Sequence, residues 1–244
     1  MLVNFNDICF NNLKSYWIAL ASIDESAVIE TSDSVRICTG MNNPLFNPIF
    51  LTKDAHKLPS VYSHSSYSFW YDSKRNKNIP LQDLQELEPI MQHVPMMSIQ
   101  LNKEFKQDSV PDIKISVVDN GNDLSHWIAP VKVAFEMDDR MALRYQRCLE
   151  QAHRQFTHFT AKKNGLVVAA ASLFLHDEIA GLYNLAVLPE FRRQGIATAL
   201  HYARLNEAKS RGYKHATLQA TPMASALDNA LGFETHSELS IYKF

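Results

Sequence analysis

Cysteine and surplus charge are both scarce in this chain of 244 residues. The three cysteines, Cys9, Cys38 and Cys148, are widely spaced and odd in number. This pattern fits neither a disulfide framework nor a cysteine-based metal site, and it favours a reducing compartment. The 24 basic and 26 acidic side chains give a formal net charge of −2. We therefore expect no bound metal and no electrostatic surface for nucleic acid.

Long apolar runs are missing as well. No segment approaches the roughly 18 consecutive apolar residues that a membrane-spanning helix requires. The first residues, among them Asn4, Asn6 and Asp7, lack the basic start and the apolar centre of a signal peptide. We expect a cytoplasmic protein that does not bind membranes. With 46% hydrophobic residues, the chain is able to bury the core of one large domain or of two small ones.

Residues 187–198, with the sequence VLPEFRRQGIAT, carry the features of a phosphate site. They predict the end of a strand, a tight turn and the first turn of a helix, whose unpaired N–H groups and dipole attract anions. Gly195 and Ala197 leave room for a ligand beside the backbone, and Arg192 and Arg193 add positive charge. The segment therefore predicts a site for a diphosphate-bearing cofactor. The alternative is a packed strand-turn-helix that holds no ligand.

Regular elements are predicted on both sides of this segment. A strand over 179–187 leads into it, and apolar residues at helical spacing predict a helix from Ile196 that ends just before Gly212. Further strands are predicted at 113–118, 156–162, 166–175, 215–220 and 237–244, with helices inside 124–152 and a hairpin turn at Asn164 and Gly165.

The N-terminal half has a less regular pattern. Apolar residues at helical spacing predict a helix over 5–21, and a second helix is predicted over 81–92. Strands are predicted near 27–30, 35–38, 68–71 and 96–101. Residues 102–112 are charged and contain a proline, which makes them the best candidate for a linker.

Three segments of the C-terminal half resemble the GNAT superfamily of acetyl-CoA-dependent N-acyltransferases. They are Asn184–Glu190 (NLAVLPE), the turn Arg192-x-x-Gly195-x-Ala197, and Leu231-Gly232-Phe233. The resemblance implies the GNAT fold, an α/β (α+β) fold in which helices flank a mixed central sheet.

Two segments of the N-terminal half, TGMNNPLFNPIF at 39–50 and SFWYD at 68–72, resemble a group of GNAT proteins with two modules. This resemblance implies a degenerate GNAT-like module at 1–101, a linker at 102–112 and a catalytic domain at 113–244. The first module has no phosphate turn of its own, so its expected role is to complete the core, extend the sheet or cover the substrate cleft. The alternative is an unrelated α+β module.

The resemblance also implies an activity: direct attack of a primary amine, on a small molecule or a protein, on the thioester of the cosubstrate acetyl-CoA in a ternary complex. The strands at 179–187 and 215–220 would run parallel and then splay apart, so that the pantetheine arm enters between them. A backbone N–H near Val187 would polarise the thioester carbonyl. The implied cofactor-binding residues are Leu185, Ala186, Val187, Arg192, Arg193, Gln194, Gly195, Ile196, Ala197 and Thr198.

The attacking amine has a pKa of about 10 and must lose a proton. Tyr183, Asn184, Asp177 and Glu178 lie on or beside the strand at 179–187 and are the candidates for this step. Asn184 cannot act as a base, but it can position water or substrate. Tyr183 is equally well explained as a core aromatic residue, and Glu178 as a solvated turn residue.

The leaving thiolate raises a second proton question. Many GNAT enzymes carry a tyrosine four residues before the glycine of the LGF segment, and here that position is Asp228. Burial could keep this carboxyl protonated, or the thiolate could leave unaided because a thiol has a pKa of only about 8.5. A third interpretation makes Asp228 a solvated helix residue. The departure also keeps open a second function, a non-catalytic GNAT-fold sensor that binds acyl-CoA or a partner protein.

Overall fold

A computed structural model of the chain describes residues 4–22, 27–52, 55–59, 67–106, 110–118 and 124–244. The predicted linker is thus only partly covered, since 107–109 lie outside the described residues. Contacts divide the chain into two compact units, Met1–Met97 with Gln219–Phe244, and Ser98–Leu218. The C-terminal residues therefore group with the N-terminal half. The boundaries expected from the sequence follow chain order and stay a prediction.

The described residues form six helices and eleven strands. They are α1 Phe5–Ala21, β1 Val28–Glu30, β2 Ser34–Ile37, β3 Pro48–Leu51, β4 Ser68–Asp72, α2 Leu81–Gln85, β5 Glu88–Gln100, β6 Ile113–Val117, α3 Ile128–Ala134, α4 Asp139–Gln151, β7 Phe156–Lys163, β8 Leu166–His176, β9 Ile179–Val187, α5 Ile196–Ser210, β10 His215–Gln219, α6 Ser225–Leu231 and β11 Glu234–Lys243.

In the first unit the neighbouring strands run in the order β1-β2-β3-β4-β11-β5. The pairs β1–β2, β2–β3 and β4–β11 are antiparallel, and β3 and β4 run parallel. Helix α1 buries its apolar face, and its Trp17 meets the rings of Phe46 and Trp70 edge-on at 5.8 and 5.7 Å between centroids. An aromatic cluster of this kind supplies much of the apolar area of a small core.

The helix predicted over 81–92 is wrong in its second half. Helix α2 ends at Gln85, and the chain is a strand from Glu88 onward. Pro89 explains the difference, because it disfavours helical backbone at the residue before it and supplies no N–H for a helix. The predicted helix over 5–21 and the strands predicted near 27–30, 35–38 and 68–71 are confirmed within one residue at each end, whereas the strand predicted over 96–101 begins eight residues earlier, at Glu88.

In the second unit the strands run in the order β10-β9-β8-β7-β6. They pair antiparallel except β9 with β10, which run parallel. The predicted hairpin turn is confirmed, since Asn164 and Gly165 both have positive φ, 50° and 83°, as a tight two-residue turn requires. Helices α3 and α5 pack on β8 and β9. The predicted class, a mixed sheet flanked by helices, is confirmed.

Helix α5 begins and ends at glycines with left-handed backbone. Gly195 before its first residue has a φ of 81°, and Gly212 after its last turn has a φ of 89°. The N–H of Gly212 bonds to the carbonyl of Lys209, and that of Tyr213 to the carbonyl of Ala208. These two bonds form a Schellman motif, which confirms the predicted end of the helix. Among the described residues, no helix is long and apolar enough to cross a membrane.

Candidate functional site

Strands β9 and β10 pair only over their first residues. Ile179–Gly181 lie opposite His215–Thr217, and the parallel pairing stops there. Strand β9 continues to Val187 and stays paired with β8 on its other side over this length. Its second half therefore has one open edge, which is the gap predicted for an extended ligand.

The backbone of Val187 faces this open edge. Ala186 lies opposite Ala170, and the N–H of Leu188 donates to the carbonyl of Val168 at 3.0 Å. Backbone groups alternate in direction along a strand, so the N–H and carbonyl of Val187, between Ala186 and Leu188, point away from β8. The Val187 carbonyl accepts a hydrogen bond from Nε of Arg192 at 3.1 Å. The guanidinium of Arg192 thus already donates a hydrogen bond at this edge.

A tight turn links β9 to α5. It contains a short 3₁₀ segment, Pro189–Phe191, followed by Arg193 and Gly195, both with left-handed backbone. No side chain caps α5 at Gly195, and the first bond of the helix runs from the N–H of Ala199 to the carbonyl of Gly195 at 3.0 Å. The N–H groups of Ile196–Thr198 precede this bond and point out of the helix end, as an anion site requires.

The charges at this turn favour an anion. Arg192 and Arg193 are exposed beside the first turn of α5, and that turn contains no acidic residue. A cation near the positive end of a helix dipole is unfavourable by about 0.3–1 kcal/mol, and a bound anion would reverse the sign of that interaction. The predicted cofactor-binding residues thus follow one another from the end of β9 through the turn to the start of α5, with the side chains of Ala186 and Ile196 buried. Their role in binding stays a prediction.

Asn184 lies just before this surface, at an irregular point of β9. Its φ is 58°, and the register with β8 shifts between Ala170 and Ser172. Its Oδ1 accepts a hydrogen bond from the hydroxyl of Tyr145 on α4 at 2.5 Å. Its Nδ2 donates to Oγ of Ser172 at 3.3 Å, and that oxygen lies 2.9 Å from Nδ1 of His158 on β7. We call these four residues the Asn184 network.

The sequence pattern did not single out Tyr145, Ser172 or His158 as partners of Asn184. All three are almost fully buried, with exposures of 1%, 0% and 2%. The only signal for them is a polar residue inside an apolar run, as Ser172 is in VVAAASLFL. Such a signal marks a buried hydrogen bond without naming its partner.

A buried arginine supports β8 and β9 from the side of α5. Arg204 is 0% exposed, and its Nη1 donates to the carbonyls of Ser172 and Tyr183 at 3.3 and 3.2 Å. Its Nε donates to the carbonyl of Leu200 at 3.2 Å. The guanidinium thus connects β8, β9 and α5 next to Asn184.

The remaining candidate residues are placed as follows. The ring of Tyr183 is buried and meets Phe174 edge-on at 6.2 Å, as expected of a core aromatic residue. Asp177 and Glu178 precede β9, so the length of that strand puts them roughly 25–30 Å from Val187 and out of reach of a group bound there. Asp228, on α6 of the first unit, is 1% exposed. The interpretation of Asp228 as a solvated residue is therefore wrong.

Two buried histidines predict a pH dependence of stability. Burial lowers the pKa of His158 to about 3, and burial together with Arg204 lowers that of His201 well below its ordinary value. The unfolded chain then binds more protons than the folded one below a pH of about 6.5, so the free energy of unfolding falls as the pH falls. For His158 the slope is about 1.4 kcal/mol per pH unit between the unfolded pKa of about 6.5 and the folded pKa of about 3, and His201 acts in the same direction.

Urea unfolding of the wild type and of His158→Asn between pH 7 and pH 4.5 checks this expectation. Asparagine retains a hydrogen-bonding group near Ser172 but does not titrate, so the slope of the variant is expected to be flatter by about 1.4 kcal/mol per pH unit. Equal slopes for the two proteins would contradict the neutral, buried state of His158.

Comparisons with known proteins agree with this geometry. A sequence profile of the Acetyltransferase (GNAT) family matches residues 121–233. This segment of the chain, a little under half of its length, is therefore similar to the acetyltransferase domain of the GNAT family. A search of curated protein sequences found no match.

Solved structures show the same fold. A GCN5-related N-acetyltransferase from Kribbella flavida is 13% identical, matches over 93% of each chain and has a TM-score of 0.67. A functionally unknown conserved protein from Staphylococcus epidermidis is 15% identical over 88% of this chain and 92% of its own, with a TM-score of 0.66. A GCN5-related N-acetyltransferase from Sphaerobacter thermophilus is 14% identical over 74% and 59%, with a TM-score of 0.59. These identities are low, so the likeness concerns the fold.

Proposed function

We propose that the protein is an acetyl-CoA-dependent N-acetyltransferase that transfers the acetyl group to a primary amine within a ternary complex. The observation that carries the proposal is the open edge of β9 leading directly into an uncapped helix start, inside a segment similar to the acetyltransferase domain of the GNAT family. Few ligands need both an extended groove and an adjoining diphosphate site, and acetyl-CoA is one of them.

The chain offers partners for two parts of acetyl-CoA, the diphosphate and the pantetheine arm. The N–H groups of Ile196–Thr198 suit the diphosphate, with Arg192 and Arg193 supplying positive charge beside it. The outward N–H and carbonyl of Val187 suit the extended pantetheine arm, in the manner of an added strand. The described residues contain no group of three or more potential metal ligands, and the proposed reaction does not require a metal.

Binding both reactants side by side would supply much of the rate, because attack on a thioester then becomes an intramolecular step. A backbone N–H directed at the carbonyl oxygen would stabilise the negative charge that develops there. Neither contribution requires a side chain that forms a covalent intermediate.

The test is turnover with a panel of amines that includes polyamines, aminoglycosides, amino acids and lysine-containing peptides. We expect release of CoA that depends on one class of amine, together with a product heavier by one acetyl group in the mass spectrum. Binding of acetyl-CoA without release in the presence of any of them would instead favour the sensor function. The buried carboxyl of Asp228, where many relatives have tyrosine, is the feature that keeps that second function under consideration.

Asp228→Asn tests whether this carboxyl protonates the leaving thiolate. Asparagine keeps the shape of the side chain but carries no transferable proton, so we expect kcat to fall by about 100-fold, the lower end of general acid catalysis. The affinity for acetyl-CoA, measured by calorimetry, should stay within twofold. An unchanged kcat would mean that the thiolate leaves without an acid.

A further inference from the structure

The register shift at Asn184 sets the direction in which the backbone N–H and carbonyl groups at the end of β9 point. Tyr183 lies opposite Ser172, and Ala186 lies opposite Ala170, so three steps along β9 match two steps along β8. This is a β-bulge with one extra residue on β9. Backbone groups alternate in direction from residue to residue. Without the extra residue, the N–H of Val187 would point at β8 instead of into the open edge.

A bulge of this kind is not held by the backbone alone. Asn184 has left-handed backbone, which costs a non-glycine residue roughly 1–2 kcal/mol and is tolerated best by asparagine and aspartate. Its side chain is anchored at both ends, by Tyr145 at Oδ1 and by Ser172 at Nδ2. The amide therefore cannot turn without breaking a buried hydrogen bond.

The Asn184 network joins three neighbouring strands through one hydroxyl group. Oγ of Ser172 accepts from Nδ2 of Asn184 at 3.3 Å and lies 2.9 Å from Nδ1 of His158. Burial lowers the pKa of His158 to about 3, so its ring is neutral. Its ring is stacked on Phe156 and meets Trp127 edge-on at 5.1 Å, which fixes its orientation. The network thus ends on a ring whose orientation is fixed by its neighbours.

We propose that Tyr145, Ser172 and His158 are positioning residues, which hold the Asn184 bulge so that the N–H of Val187 is directed at the thioester carbonyl of bound acetyl-CoA. The proposal rests on the proposed function. It assigns a role to three buried polar side chains on α4, β8 and β7 that no step of the reaction otherwise uses. Arg204 supports the same point from α5, through the carbonyls of the opposed pair Ser172 and Tyr183.

The direct readout is the infrared stretch of acetyl-CoA labelled with ¹³C at the thioester carbonyl. A hydrogen bond from Val187 should lower this frequency in the wild-type complex relative to acetyl-CoA in buffer. Tyr145→Phe removes one hydroxyl from the network, and we expect the lowering to shrink by about half or more. We also expect kcat to fall about tenfold, a smaller effect than removal of an oxyanion donor because the donor is displaced rather than deleted. The Kd for CoA, which has no carbonyl at this position, should stay within twofold.

Two further variants make the test specific. Asn184→Gly adopts left-handed backbone without strain but lacks the anchored amide, so it should reproduce the effect of Tyr145→Phe. Tyr16→Phe removes a hydroxyl from another buried tyrosine, on α1 of the first unit, and should leave the stretch unchanged. Thermal melting of each variant identifies a failure to fold, and Ser172→Ala replaces any variant that does not fold.

The possible outcomes separate the two proposals. A wild type that does not bind acetyl-CoA would overturn the proposed function. A wild type that binds and lowers the carbonyl frequency, with the same lowering in Tyr145→Phe and Asn184→Gly, would overturn the positioning role and leave the proposed function standing.

Discussion

Gly195→Asp is expected to weaken the binding of acetyl-CoA by at least about 100-fold. The carboxylate would stand at the uncapped start of α5, where the diphosphate is proposed to bind. Two like charges about 4 Å apart near a protein surface repel by about 4 kcal/mol, which alone corresponds to almost three factors of ten in Kd. The φ of 81° at this position adds backbone strain, because left-handed backbone costs aspartate more free energy than glycine.

Gly212→Asp is the matched control for this variant. Gly212 lies at the other end of α5, has a φ of 89° and has no atom within 4 Å of an added Cβ. At Gly195 an added Cβ would lie 3.5 Å from Cγ2 of Val110, which is an ordinary contact. The two variants therefore share the backbone strain and the added negative charge, but they place that charge at opposite ends of α5. Calorimetry should show near-normal acetyl-CoA binding for Gly212→Asp, and equal losses in both would contradict the assigned site.

Arg204→Met should destabilise the fold by about 2–6 kcal/mol, the sum for two buried carbonyls that lose a hydrogen-bond donor. The guanidinium is 0% exposed and donates to the carbonyls of Leu200, Ser172 and Tyr183. Methionine fills a similar volume but donates no hydrogen bond. The two strand carbonyls would then remain buried without this partner, and each such loss costs about 1–3 kcal/mol.

Arg211→Met provides the comparison on the same helix. Arg211 is partly exposed and pairs with Glu207 one turn earlier, an interaction worth about 0.3–0.5 kcal/mol. Urea unfolding at pH 7 should therefore show a shift of less than about 1 kcal/mol for Arg211→Met. A comparable shift for the two variants would mean that the buried hydrogen bonds of Arg204 contribute little to stability.

The strand, turn and helix at 179–210 could be predicted from the sequence because their signals are local. Strand 179–187 was predicted with its observed bounds, and the helix was predicted to begin at Ile196 and to end before Gly212. A glycine at each end of the helix and a proline after the strand leave the backbone few alternatives over this stretch. The splay of β9 from β10 was implied by the family resemblance and is present in the structure.

The parts that could not be predicted depend on contacts between distant segments. Tyr145, His158 and Ser172 lie on separate elements, and nothing in their own neighbourhoods indicates that they meet at Asn184. The burial of Asp228 is likewise a matter of packing rather than of local pattern. The helix predicted over 81–92 is wrong beyond Gln85 for a local reason, since Pro89 disfavours helical backbone at the residue before it.

The measurement that tests the account most directly is calorimetric titration of the wild-type protein with acetyl-CoA, alongside S-acetylpantetheine, which carries the same thioester arm without phosphates. The account predicts saturable binding of acetyl-CoA at one site per chain, and binding of S-acetylpantetheine that is weaker by at least about 100-fold, because the turn at Arg192–Thr198 would then have no anion to bind. Equal affinities for the two compounds, or no binding of acetyl-CoA, would contradict the assignment of this turn as the diphosphate site.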